Sequence, residues 1–289
     1  MKELLSHFIG KELCIDDALA FQYLLDYHSR YELLKIERNL DVFKSLKSAS
    51  ELITINALNG EQEVSNFSKL NFNLPKDSII TLELNGFMSS EDGLCSYGAK
   101  SFSKALLSYK NIDNVVGAKI NIDSGGGEGM AGHVIHDAIK EFGKPVIAYV
   151  FNAGSAAYLA ASAAKEIVAA NDNSRVGSIG ALISLSKKFI EQYGSDVVEI
   201  YSDYSTNKNI EFRALLKGDD GPIREMLNKS VELFQSKVKK NRYLKKDPDG
   251  SMSGGMFFAD EAKKRGLIDF VGSNEFALSR VHAYKKNKK

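Results

Sequence analysis

Two stretches of this chain carry residue types suited to acyl-transfer chemistry. The first is Asp123-Ser124-Gly125-Gly126-Gly127-Glu128-Gly129, which follows a β-rich run, Val115 to Ile122. Successive glycines let a backbone turn tightly and aim its N–H groups at a ligand. Such a loop suits an oxyanion hole, in which N–H groups hold developing negative charge. Gly127-Glu128-Gly129-Met130-Ala131-Gly132 also matches a dinucleotide-binding turn, but that fingerprint wants an acid at the end of the next strand, where Phe151-Asn152 stands. No Gly-Lys-Ser/Thr follows, so a P-loop fails, and a plain tight turn is the remaining alternative. The second stretch is Asn152-Ala153-Gly154-Ser155-Ala156-Ala157-Tyr158. A serine between a strand and a helix, flanked by small residues, suits a nucleophile, and the Ala156 N–H behind it suits a second oxyanion donor. An ordinary serine N-cap is the competing explanation.

A nucleophilic serine needs a base. The five histidines are His7, His28, His133, His136 and His282, and none lies between Ser155 and residue 281. His133 and His136 share a helix face, but no third ligand accompanies them as a metal site would require, and helix packing is the expected role. A lysine base is the alternative, provided burial lowers its pKa and keeps it neutral. Lys208 is a candidate, 53 residues beyond Ser155, although nothing local distinguishes it from the other lysines. Three Ser-x-x-Lys strings occur, at Ser101–Lys104, Ser184–Lys187 and Ser205–Lys208, without the Ser-Asp-Asn and Lys-Thr-Gly companions of a penicillin-binding fold.

The elements that must position these residues alternate in type. Strand patterns at 79–84, 115–122, 146–151, 167–168, 181–184 and 197–201 interleave with helical patterns at 99–109, 130–142, 155–164 and 185–193. A long amphipathic helix follows, carrying Ile223, Leu227, Val231, Phe234 and Val238 on one stripe. Alternation predicts an α/β fold with a mainly parallel sheet. Residues 1–50 read as helical, with Asp16 or Asp17 capping a helix through Leu19, Tyr23, Leu24, Tyr27 and Tyr31. Residues 57–75 read as a polar linker. The chain divides as a helical extension and linker over 1–75, a core over 76–275 and a basic tail over 276–289. The 20 uncharged residues from Pro145 to Ala164 have the length of a membrane span, but Asn152, Gly154 and Ser155 at their centre predict strand, turn and helix instead.

Composition narrows the classes of function. Lys plus Arg is 38 against 37 for Asp plus Glu, a net charge of +1, which argues against bulk phosphate attraction and so against a nucleic-acid partner. Two cysteines, Cys14 and Cys95, cannot build a disulfide framework or a four-cysteine zinc site. No basic, then apolar, signal segment opens the chain, and a soluble cytoplasmic protein without an integral membrane segment is expected.

Taken together, the chain resembles the signal peptide peptidase A group of serine peptidases, in the Clp/crotonase superfamily, and within it the phage and prophage capsid-assembly proteases. The resemblance rests on Ile122-Asp123-Ser124-Gly125-Gly126-Gly127, Gly143 to Tyr149, Ala153 to Tyr158, Val176-Gly177-Ser178-Ile179-Gly180, Lys237 to Arg242 and Ala259 to Asp269, in the family's order. It implies a Clp/crotonase-like fold of repeated ββα units and a Ser–Lys dyad peptidase that needs no metal or other cofactor. In that reading Ser155 is the nucleophile, Lys208 the general base, and Ser178 orients the lysine. Gly126 and Gly127 form the oxyanion loop with Ala156, the second glycine being the better donor. Gly125 stands where the family usually has proline, and residues 205–209 lack the usual Gly-Lys-x-Lys, which makes Lys217 the fallback base. The resemblance further implies a polypeptide substrate, such as capsid or scaffold proteins or signal-peptide-like remnants. It also implies a homo-oligomeric ring whose dyad is completed within or between subunits, in a host cytoplasm or prohead if the chain is phage-derived. Two rivals keep the fold: a crotonase-type acyl-CoA hydratase or isomerase using Glu128 as acid/base, and a non-catalytic assembly protein.

Overall fold

The computed structural model describes residues 13–15, 52–56, 62–66, 70–92, 97–185, 187–196, 198–244 and 250–286. The predicted helix through Leu19 to Tyr31 and the last residues, 287–289, lie outside them.

Among the described residues a ten-stranded mixed sheet forms the centre, seven of its strands in the order β10-β7-β6-β5-β4-β2-β3 and three, β1, β8 and β9, off that path. Its parallel heart comprises β4 (Ser78–Met88), β5 (Val115–Glu128), β6 (Val146–Gly154), β7 (Glu166–Ala169) and β10 (Phe270–Val271). The crossovers are helices: α1 (Ala99–Ser108) between β4 and β5, α2 (Gly129–Phe142) between β5 and β6, and α3 (Ala156–Ser162) between β6 and β7. This is the α/β fold with a mainly parallel sheet that the alternation of patterns predicts.

Period-2 side chains divide the core between the two faces of the sheet. Ile80, Leu82, Ile120, Ile122, Ala148 and Val150 pack under α1, α2 and α3 on one face. Ile79, Ile147, Tyr149 and Val168 face the other way, against Ala277 and Val281 of the last helix, α8 (Asn274–Lys286). The reading of 276–289 as a basic tail is therefore corrected, because residues 276–286 belong to a helix packed on this second face of the sheet. Arg280 and Tyr284 fix that helix to β7: Arg280 Nε donates to Glu166 at 2.7 Å and the Tyr284 hydroxyl donates to the same carboxylate at 2.6 Å. Burial pushes the Glu166 carboxyl up, but these donors outweigh it and hold it below its ordinary value.

The described parts of residues 1–75 also depart from the expected extension and linker. Residues 13–15 form a strand, β1 (Leu13–Ile15), rather than helix. β2 (Leu52–Asn56) and β3 (Gln62–Asn66) make an antiparallel hairpin that continues the core sheet beyond β4. Ile53 and Ile55 are buried, whereas β3 is an edge strand of mainly polar residues whose composition hides it. Two predicted strands are absent from the sheet: 181–184 and the described part of 197–201, where Val198 and Ile200 are exposed. In their place β8 (Arg175–Gly177) pairs with β6, and β9 (Met256–Phe258) pairs with β8.

The remaining helices are α4 (Lys187–Asp196), α5 (Ile210–Leu215), the long α6 (Gly221–Asn241) and α7 (Ala259–Arg265). α6 buries Ile223, Phe234 and Val238 and leaves most of its surface exposed. Among the described residues no helix is long and apolar enough to cross a membrane, and Pro145 to Ala164 is strand, elbow and helix.

Candidate active site

The parallel register brings the two chemically suggestive stretches side by side. β5 and β6 pair up to Ser124 opposite Ala153. A Cβ on Gly154 would stand 3.0 Å from the Gly125 oxygen, so the two backbones nearly touch just before Ser155. β6 then ends in a sharp turn. Ser155 has φ 52° and ψ −118°, a conformation in which an L side chain is strained, and it is only 1% exposed. Its hydroxyl makes no helix-capping bond; it donates to the Gly180 oxygen at 3.4 Å, a distance at which the bond is weak. An ordinary N-cap would sit in the β region and bond into the first turn, so capping does not account for this serine.

What holds the strained turn is a ring of close backbone contacts. The Ser155 N–H donates to the Gly177 oxygen at 2.8 Å, extending the β6–β8 pairing of Gly154 with Gly177. On the α2 side, a Cβ at Gly132 would come within 2.8 Å of the Ala156 oxygen, so the first turn of α2 presses on the start of α3. All seven residues of α3 are buried, and their small side chains permit this approach. Tyr158 anchors the helix through its hydroxyl, which donates to the Leu267 oxygen at 2.9 Å, and burial raises that phenol above its ordinary value.

The glycine loop continues β5 as strand through Glu128 and is fixed from β4. Phe87 pairs with Gly126 and Met88 with Gly127. Gly127 has φ 158°, and a Cβ there would lie 2.1 Å from the Met88 oxygen, so no other residue fits. The Gly126 N–H donates to Ser124 Oγ at 3.1 Å, and Ser124 Oγ donates to the Gly86 oxygen at 2.5 Å. With the Gly126 amide engaged inside the loop, Gly127 is the better oxyanion candidate of the two, beside the Ala156 amide that opens α3. The bracing role of Ser124 emerges only from these contacts, its one signal in the sequence being a serine directly before a glycine run. Glu128 is buried, and its Oε2 accepts the Ser90 N–H at 2.9 Å, a tie between the end of β5 and the segment after β4.

Ser178 stands next to the elbow. Its φ is 53°, and its N–H donates to the Gly255 oxygen at 2.7 Å. The chain thus brings together Ser155, Ser178, Gly126, Gly127 and Ala156. It does not bring Lys208 to them. Within the single chain Lys208 is exposed on an irregular segment, where a buried base was expected, and its ammonium forms no hydrogen bond or ion pair with another described residue. Lys217 is exposed as well. On the same segment Val198, Ile200 and Tyr204 are 87%, 93% and 98% exposed.

The remaining motif stretches serve as struts. His136 is buried between Asp137, at 2.7 Å from Nδ1, and Asn241, at 2.7 Å from Nε2, and Lys237 donates to Asp137 at 2.5 Å, joining α2 to α6. Arg242 donates to Asp269 at 2.8 Å, and the same carboxylate oxygen accepts the Ile167 N–H at 2.7 Å, joining α6 to β7. Among the described residues no group of three His, Cys, Asp or Glu is placed to hold a metal ion.

Comparison with known proteins places the chain in a family. A protein of Methanocaldococcus jannaschii named "Putative protease" is 27% identical over 188 residues, which is 63% of this chain and 60% of that protein. The chain therefore spans less than two thirds of that relative's length. Among solved structures, a membrane-bound stomatin-specific protease from Pyrococcus horikoshii, in complex with a substrate peptide, is 19% identical with a TM-score of 0.43, over 72% of this chain and 80% of that one. ClpP1 from Listeria monocytogenes is 20% identical with a TM-score of 0.36, over 68% and 94%. Likeness of this degree leaves the chemistry to the residues of the site itself. The model described as Peptidase family S49 matches residues 138–288, just over half of the sequence, and to that family this chain belongs.

Proposed function

We propose that the protein is a serine endopeptidase in which Ser155 attacks a peptide carbonyl. The observation that carries this reading is the buried, strained Ser155 beside a glycine loop rather than in a helix-capping role. The N–H groups of Gly127 and Ala156 hold the tetrahedral oxyanion, the amine product leaves, and water hydrolyses the acyl-serine. The base is Lys208, oriented by Ser178. A lysine acts as a base only where desolvation keeps it neutral, and the single chain leaves Lys208 exposed. A second copy, docked on the apolar segment around Val198, Ile200 and Tyr204, supplies that desolvation, and the dyad is completed between subunits of a homo-oligomer. The substrate is a polypeptide, and the reading to test first is cleavage of a capsid or scaffold protein, which the resemblance of the sequence to phage and prophage capsid-assembly proteases suggests.

The test is peptide hydrolysis, read by mass spectrometry on a denatured proteome. Ser155→Ala and Lys208→Ala each abolish cleavage, and an equimolar, reassembled mixture of the two recovers part of it, because mixed neighbours contain intact dyads. Full turnover by Lys208→Ala removes that lysine from the mechanism, and turnover by Ser155→Ala removes the nucleophile.

A further inference from the structure

The site already has an occupant. β1 pairs antiparallel with the glycine loop: Ile15 opposite Gly126, Cys14 opposite Gly127 and Leu13 opposite Glu128. A strand has two hydrogen-bonding edges. At Gly126 and Gly127 one edge of β5 is taken by Phe87 and Met88 of β4. β1 must therefore lie on the other edge, which β6 occupies only as far as Ser124 opposite Ala153. β6 leaves that edge because it turns at Ser155 into α3. The vacated length, residues 126–128, is bounded by Ser155 at its near end. A peptide whose carbonyl is to meet both Ser155 Oγ and the Gly127 N–H must run along this edge, by strand addition. Residues 13–15 already do so.

We propose that this N-terminal strand is a built-in occupant of the peptide groove, which an incoming polypeptide must displace. The proposal rests on the reading of Ser155 as nucleophile and adds regulation to it. An occupant within the same chain competes at a high, fixed local concentration, so the apparent affinity for a peptide falls by the fraction of molecules in which the strand is released. Among the described strands β1 pairs with β5 alone.

The test weakens the strand's pairing in the full chain with the double substitution Cys14→Pro/Ile15→Pro. Antiparallel pairs alternate between hydrogen-bonded and non-hydrogen-bonded, so prolines at two adjacent positions remove an N–H of each kind and at least one ladder bond is lost. The expected result is a rise in kcat/KM for peptide hydrolysis of about tenfold or more, corresponding to release in a tenth of the molecules or fewer before substitution. In the inactive Ser155→Ala background the amides of residues 126–128 are protected from hydrogen exchange, and the proline pair lowers that protection. A synthetic peptide of residues 8–20, added to the proline variant, restores inhibition and shows that the groove is intact. Equal turnover with unchanged protection at 126–128 overturns the proposal while leaving the peptidase reading standing. If neither protein cleaves peptides, the peptidase reading fails, and loss of protection in the proline variant still supports the strand. An inhibition that fades on dilution of the unsubstituted protein overturns the within-chain form.

Discussion

Replacing Ser155 by glycine separates its function from its contribution to the fold. The backbone at φ 52° and ψ −118° is a conformation that glycine adopts freely and other residues adopt at a cost of about 1–3 kcal/mol. Removing the side chain relieves that strain. Against this stand the extra entropy of a glycine in the unfolded chain, about 0.5–1 kcal/mol, and a long hydroxyl bond to the Gly180 oxygen at 3.4 Å that contributes little. The net is a gain of about 0.5–2 kcal/mol, or a Tm raised by about 2–5 °C for a domain of this size. At an ordinary N-cap the same change costs a few tenths of a kcal/mol. Differential scanning calorimetry of Ser155→Gly, paired with a peptide-cleavage assay, should show a more stable protein with no turnover. Ser155→Ala keeps the strain and should match the parent in Tm while losing the same activity. A Ser155→Gly protein that melts at or below the parent temperature refutes the argument, since the elbow would then store no strain on behalf of the hydroxyl.

Other perturbations follow from the same geometry. Gly127→Ala places a Cβ 2.1 Å from the Met88 oxygen and should cost at least about 3 kcal/mol in urea unfolding, whereas Gly218→Ala, at φ 83° with nothing within 4 Å, should cost only about 1 kcal/mol. Arg280→Ala leaves the buried Glu166 carboxylate with Tyr284 alone of its two side-chain donors and should lower stability by about 2–3 kcal/mol, seen as a Tm drop of about 5–10 °C at pH 7. Because Glu166 titrates below its ordinary value in the folded state, this contribution is present above the unfolded carboxyl range and is lost as pH falls through the folded value. The Arg280→Ala penalty should therefore shrink toward acid pH. Lys119 is buried against Tyr149 and Asn274, and loss of hydration lowers its pKa to about 8. The unfolded chain then binds more protons than the folded one between pH of about 8 and about 10.5, so stability rises with pH across that window, by roughly 3 kcal/mol at most. Lys119→Met should flatten the rise in a series of melts.

Much of the parallel core was legible because each strand had a local signature. Val146 to Val150 is apolar on both faces, as a strand buried from both sides must be, whereas Val115 to Ile122 sets Ala118, Ile120 and Ile122 on one face and carries Lys119 and Asn121 on the other, and glycine or small residues mark the turns that follow. The β2–β3 hairpin was not legible, because β3 is an edge strand of mainly polar residues whose place depends on pairing with β2. β8 was missed because three residues carry no periodicity, and its identity as a strand comes from Gly154 opposite Gly177. The last helix was hidden by its lysines, although Ala277 and Val281 are fully buried.

What the sequence by itself determined is chemical. It placed a serine at the end of an apolar strand, a glycine run at the end of the strand before it, and a second glycine-flanked serine, Ser178, beyond them. The first two need only residue type and spacing, and Ser178 enters through the resemblance to the signal peptide peptidase A group. The tertiary structure decided what those residues do to one another. Only the register of β5 against β6 sets Ser155 beside the glycine loop, and only the β4 backbone forces glycine at position 127. Only the contacts from Gly177 and Gly132 hold Ser155 in a strained conformation. Lys208 shows the converse. Whether a lysine is a base depends on its solvation, which is a property of everything packed around it, and in the single chain that surrounding is water.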